Sequence, residues 1–155
     1  MHLRDMNATL AAGARLAAQL RPGMLITLSG ELGTGKTTLV RGVLQALGWP
    51  GAVKSPTYTL VEHYTVSSLY FYHFDLYRLH DPHEWETAGF ADYFSDRAVC
   101  LVEWPERVRE YLPSPDLAIE LAYAFDCPES GREIVLRAHS TAGEQCLSVL
   151  LAAPA

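Results

Sequence analysis

The chain has 155 residues, a hydrophobic share of 49% and a formal net charge of −6, which suits a single domain over 1–155 with a proper core. No apolar stretch reaches the roughly 18 residues that a membrane helix needs. Lys36 and Lys54 are the only lysines and the ten arginines form no basic run, which argues against a nucleic-acid surface of the chain's own; a nucleic acid would be held by a partner.

Residues 8–20 are alanine-rich, interrupted by Arg15 and without a basic leading region, so they predict an amphipathic helix and not a signal peptide. A short apolar run follows the Pro22-Gly23 turn signal and predicts a strand over 24–29. Directly after it, "GELGTGKTTLV" meets the pattern G-x-x-x-x-G-K-[ST] at Gly30, Gly35, Lys36 and Thr37. From Lys36 to Leu47 the apolar residues Leu39, Val40, Val43, Leu44 and Leu47 recur at helical spacing, and Gly48 reads as the C-terminal cap. Strand, glycine-rich turn and helix are the setting in which backbone N–H groups form a nest for phosphate oxygens at the positive end of a helix. In that setting Lys36 reaches the β- and γ-phosphates, and the Thr37 hydroxyl ligates Mg2+ between them.

Further along, "KSPTYTLVEHY" carries a break at Ser55-Pro56 followed by β-favouring residues, which predicts a strand beginning over 57–61. An aromatic-rich strand is predicted over 69–74, stopping at Asp75, and Asp81-Pro82 signals one or two short helices with Asp81 as cap. Residues 98–102 read as the cleanest buried strand, with a short helix near Pro105. The segments "DLAIELAYAF" and "REIVLRAHS" read as two strands joined by "DCPESG", and a helix over about 142–151 closes the chain. The alternation predicts an α/β fold, a three-layer mixed sheet of the P-loop NTPase type with a C-terminal antiparallel strand pair.

A phosphate loop needs a carboxylate at the end of a neighbouring strand for Mg2+ or its water shell, and Glu103 and Asp75 compete for that place. Ser55, Thr57, Tyr58 and Thr59 bring hydroxyls to a passage where phosphate-loop proteins sense the γ-phosphate, although an edge strand with routine threonines reads the same way. His80, Asp81 and His83 match no zinc spacing and read as a solvated loop. Trp85, Tyr70 and Tyr72 read as packing, and Trp104 as a core or interface aromatic. Cys100, Cys127 and Cys146 are odd in number and far apart, which points to a reducing cytoplasm.

Three blocks, "GELGTGKTTLVRG", "SPTYTLVEHY" with "YHFDLYRL", and "LVEWPER", resemble in order and spacing the bacterial TsaE (formerly YjeE) family, small P-loop ATPases of tRNA threonylcarbamoyladenosine biosynthesis. The resemblance runs from about residue 5 to the end and is strongest over 30–106. It implies a nucleotide cradle of Gly30, Gly33, Thr34, Gly35, Lys36, Thr37 and Thr38, with Thr37 and Glu103 as magnesium ligands. It makes Asp75 an acid required for hydrolysis, whether by touching the metal or by orienting water. It makes residues 55–59 a switch segment in which Ser55 and Thr57 meet the nucleotide, sets Trp104 beside the magnesium site, and brings Met6 and Gly131 near the adenine. Glu31 and Thr34 stand where many relatives have Asp and Ala, substitutions that a loop working through its backbone tolerates. The resemblance also implies the partners TsaD and TsaB, through which tRNA is met only indirectly, and poor ATP hydrolysis by the chain alone. A small-molecule kinase and a nucleotide-dependent binding module stand as alternatives, whereas no N-K-x-D guanine signature supports a GTPase.

Overall fold

The long apolar runs become the middle of one sheet because their side chains must leave water on both faces. In a computed structural model that describes residues 1–152, the strands are β1 (His2–Leu3), β2 (Leu25–Ser29), β3 (Val61–Val66), β4 (Leu69–Asp75), β5 (Ala98–Glu103), β6 (Leu117–Tyr123) and β7 (Arg132–Ala138). Their order is β1-β7-β6-β2-β5-β4-β3. β6, β2, β5 and β4 run parallel, while β3, β7 and β1 add antiparallel edges. Every residue of β5 is buried, which is why its sequence reads as an unbroken apolar run and not as an alternation.

Strand alternation sends neighbours to opposite faces. Ile26, Leu28, Val99 and Leu101 join one cluster with Leu16 of α1 (Met6–Ala17), Leu39 and Val43 of α2 (Lys36–Ala46) and Cys146 of α4 (Thr141–Leu151). Leu25, Cys100 and Val102 join another with Phe74, Phe90 and Trp85, the last on the short α3 (His83–Thr87). Helical segments on both faces of a mixed sheet, with β6 and β7 as a C-terminal antiparallel pair, are the architecture expected from the sequence.

Several local expectations shift. Helix α1 starts at Met6, where the Asp5 side chain accepts a hydrogen bond from Ala8 N at 2.8 Å, and it ends at Ala17. Residues 57–60 form a turn and not the start of a strand: Leu60 N donates to Pro56 O at 2.8 Å and Leu60 takes φ 64°. A proline-anchored turn overrides β-propensity there, so pairing with β4 begins at Val61. Asp81 is not the cap residue of α3, which is Pro82, but its Oδ1 accepts from His83 N at 2.9 Å and braces the same turn. The two-residue β1 is too short to leave a pattern in the sequence. No helix among the described residues is long and apolar enough to cross a membrane.

Candidate functional site

The carboxyl ends of three parallel strands converge where β2 gives way to the glycine-rich turn. Leu28 lies opposite Glu103 in register, and Asp75 lies opposite Glu103 on the other side. Register alone therefore puts two acids side by side, and both are nearly shut off from water, at 5% exposure for Asp75 and 2% for Glu103. Two such carboxylates need donors or a cation close by.

The turn supplies the cation. Gly30, Gly33 and Gly35 take φ of 132°, 80° and 101°, a region that favours glycine. The loop also leaves no room at Gly30, where a Cβ would lie 2.1 Å from Leu121 O. Gly35 caps α2 without a side-chain hydrogen bond, so no side chain competes for the first N–H groups of the helix. The buried Lys36 Nζ donates to Gly30 O at 2.7 Å and Glu31 O at 2.8 Å and sits 4.1 Å from the centre of the Trp104 ring. Burial holds its pKa below the usual lysine value, and the charges of Glu103 and Asp75 pull it back up.

At the second residue of α2, the Thr37 hydroxyl donates to Glu103 Oε1 at 2.8 Å. Ser55 donates its hydroxyl proton to Asp75 Oδ2, so its 3.1 Å contact with Thr57 Oγ1 has Thr57 as donor. Tyr77 N donates to Asp75 Oδ1 at 3.1 Å. A cleft of about 440 Å³ unites these groups and is lined by Lys36, Thr37, Thr38, Ser55, Thr57, Asp75, Glu103 and Trp104. A second cleft of about 400 Å³ lies across the loop against Met6, Gly33, Thr34, Gly35, Thr38 and Arg132. Gly131 itself does not line it: its N–H donates to Cys127 O at 2.7 Å, and its neighbours Ser130 and Arg132 line the cleft. Gly33, Gly35 and Thr38 line both clefts, whereas Gly30 and Gly131, of the residues expected to hold nucleotide or metal, line neither.

Two features of the site go beyond what the sequence announces. The imidazole of His73, 0% exposed, lies with Nε2 2.8 Å from Glu103 Oε1; the available signal is the alternation of β4, which puts His73 on the same face as Asp75. The β6–β7 hairpin also clamps the loop. Arg132 Nε donates to Thr34 O at 3.1 Å and Nη2 to Gly33 O at 3.2 Å, its guanidinium lies 4.7 Å from the Tyr123 ring centre, and Tyr123 donates to Leu32 O at 2.6 Å. Nothing local signals those contacts. Arg132→Ala is expected to speed amide hydrogen exchange across residues 31–35 by on the order of tenfold or more while β2 and β5 keep their protection, since charge-assisted hydrogen bonds of this kind contribute roughly 1.5–3 kcal/mol. Unchanged exchange in the loop would remove the clamp.

All three cysteines are free. Burial pushes the Cys100 thiol up to about 12 and raises that of Cys146, while Cys127 is exposed.

Fold and site together define the class, an α/β protein with a glycine-rich strand-to-helix turn facing two buried acids at the carboxyl edge of its sheet. The family model for "Threonylcarbamoyl adenosine biosynthesis protein TsaE" matches residues 3–134, and the chain belongs to the TsaE family. It is 46% identical over 125 residues to the tRNA threonylcarbamoyladenosine biosynthesis protein TsaE of Haemophilus influenzae, a match covering 81% of this chain and 77% of the relative. The Bacillus subtilis protein of the same name is 42% identical over 118 residues, covering 76% and 73%. A crystal structure of Bacillus subtilis YdiB superposes with a TM-score of 0.80 and 32% identity, covering 97% of this chain and 91% of that one.

Proposed function

We propose that the chain is the ATP-binding and ATP-hydrolysing component of tRNA threonylcarbamoyladenosine biosynthesis, working in the cytoplasm with TsaD and TsaB proteins, and that hydrolysis resets the assembly between rounds. Membership of the TsaE family supports the pathway. One observation carries the chemistry: the Thr37 hydroxyl and the Glu103 carboxylate, from different elements, meet at 2.8 Å beside a buried lysine in a glycine-rich turn.

The donors suit Mg2+, because a threonine hydroxyl and one or two carboxylates are hard oxygen ligands of the kind that ion takes alongside phosphates and water. Thr37 and Glu103 would hold it, with Asp75 adjacent. Held there, Mg2+ would supply Lewis-acid neutralisation of the charge on the triphosphate. The chain's own groups account for the rest. Loop N–H groups and the first turn of α2 cradle phosphate oxygens, while Lys36 exchanges its two loop carbonyls for the β- and γ-phosphates. Asp75, held by Ser55 and Tyr77 N, orients the attacking water and draws on its proton as the phosphoryl group leaves ADP. Because Ser55 bonds both Asp75 and Thr57, residues 55–59 can report the γ-phosphate to a partner. The second cleft, between Met6 and the 129–132 turn, accepts the adenine.

The test is ATP turnover with and without TsaB and TsaD, for wild type and Glu103→Ala. Turnover is expected to be slow alone, to rise with both partners, and to fall by on the order of 10²-fold or more in the variant, with free phosphate as the product released. Turnover indifferent to the partners and to the substitution would remove the proposal, and phosphate transferred to a small acceptor would replace it with a kinase.

A further inference from the structure

His73 stands out among the buried polar groups. It lies opposite Leu101 in the β4–β5 register, on the face that carries Phe71 and Asp75, at 0% exposure. Its Nε2 is 2.8 Å from Glu103 Oε1, the same oxygen that accepts the Thr37 hydroxyl at 2.8 Å. A carboxylate can only accept, so Nε2 carries the hydrogen. The other ring nitrogen, Nδ1, is buried without a hydrogen-bond partner among the described residues.

That half-satisfied imidazole is a poor choice for a core position. An unpaired buried nitrogen is destabilising, and the neighbouring positions of β4 are filled by Phe71 and Phe74 at no such cost. Its one bond goes to Glu103. With two donors on Oε1, no hydrogen bond among the described residues engages Oε2, so the carboxylate is pinned by one oxygen and leaves the other for a cation. A ligating group whose rotamer is locked by a donor behind it presents its free oxygen without losing rotamer entropy on binding.

We propose that His73 is a positioning residue for the cation site: its Nε2–H fixes Glu103 through Oε1 and so presents Oε2. The proposal rests on the reading of Glu103 as the Mg2+-binding acid. It also separates two amide replacements, since the side-chain amide of Gln reaches about as far as Nε2 whereas that of Asn reaches only about as far as Nδ1.

The experiment compares His73→Leu, His73→Gln and His73→Asn with wild type and Glu103→Ala. Each purified protein is titrated with a fluorescent ATP analogue in excess EDTA, then with Mg2+ at fixed analogue, and its melting temperature is recorded without nucleotide. His73→Leu and His73→Asn are expected to need on the order of tenfold more Mg2+ for half-saturation while the Mg2+-free affinity stays within about twofold, and His73→Gln to recover most of the loss. The melting temperature of His73→Leu should not fall in step with the lost Mg2+ response. If His73→Leu fails to fold, the contrast between Gln and Asn decides. A wild-type Mg2+ response in His73→Leu, or equal responses from Gln and Asn, overturns the proposal. If Glu103→Ala itself keeps the wild-type Mg2+ response, the reading of Glu103 fails, and the role proposed for His73 fails with it. A Glu103→Ala defect with an unaffected His73→Leu sinks the His73 proposal alone.

Discussion

Lys36→Ala is expected to weaken ATP binding by on the order of 10²-fold or more, whether or not Mg2+ is present. The ammonium is buried, donates to two loop carbonyls, and lies within electrostatic reach of Glu103 and Asp75, two acids with almost no exposure. A hydrogen bond to a charged group contributes roughly 1.5–3 kcal/mol, and each 1.4 kcal/mol is a factor of ten in affinity. Removing the ammonium from both phosphates at once therefore reaches or exceeds a hundredfold. The substitution also strips Glu103 and Asp75 of their compensating charge, so the nucleotide-free protein should melt several degrees lower as well. Lys36→Arg is not expected to rescue binding: a planar fork replaces a point charge in a pocket roofed by the Trp104 ring at 4.1 Å. Calorimetric titration with ATP, with and without Mg2+, measures the loss, and an affinity for Lys36→Ala within about threefold of wild type would contradict the role given to the loop.

Gly42→Leu is expected to cost at least about 3 kcal/mol of stability and to leave much of the protein unfolded. Helices α1 and α2 meet through glycines: a Cβ at Gly42 would lie 2.2 Å from Leu10 O, and one at Gly13 would lie 2.3 Å from Leu39 O. Both obstacles are backbone atoms, which cannot swing aside as a side chain can, so the helices must part and open the layer around Leu16, Leu39 and Val43. The sign of the effect is diagnostic. In an isolated helix, leucine is favoured over glycine by roughly 0.5–1 kcal/mol, so a large loss can come only from the interface. Urea denaturation measures it, and Gly42→Ala should show a smaller loss in the same direction. Because α2 begins with Lys36 and Thr37, a milder displacement of the helix should also weaken the site before the fold is lost.

Much of this molecule is local and legible as such. The phosphate-loop pattern, the buried run ending at Glu103, the aromatic strand ending at Asp75 and the late hairpin each depend on residues a few positions apart, where periodicity and turn chemistry act directly. The short helix after Asp81 is legible for the same reason, through the Asp-Pro signal, even though the cap itself falls on Pro82. The turn at 57–60 is not, because β-propensity is a weak preference that a proline-anchored hydrogen bond overrides.

The chain's own composition and patterning determined an α/β protein with a bare turn between strand and helix and acids at two strand ends. Only the tertiary structure decided that Asp75 and Glu103 stand opposite each other, that His73 backs Glu103, that Arg132 and Tyr123 hold the loop from a hairpin far along the chain, and that two helices touch through glycines. The reason is that strand order and register are set by which faces can be buried together, a property of the whole sheet. A side chain's distant partner follows from that burial and leaves no trace in the residues beside it.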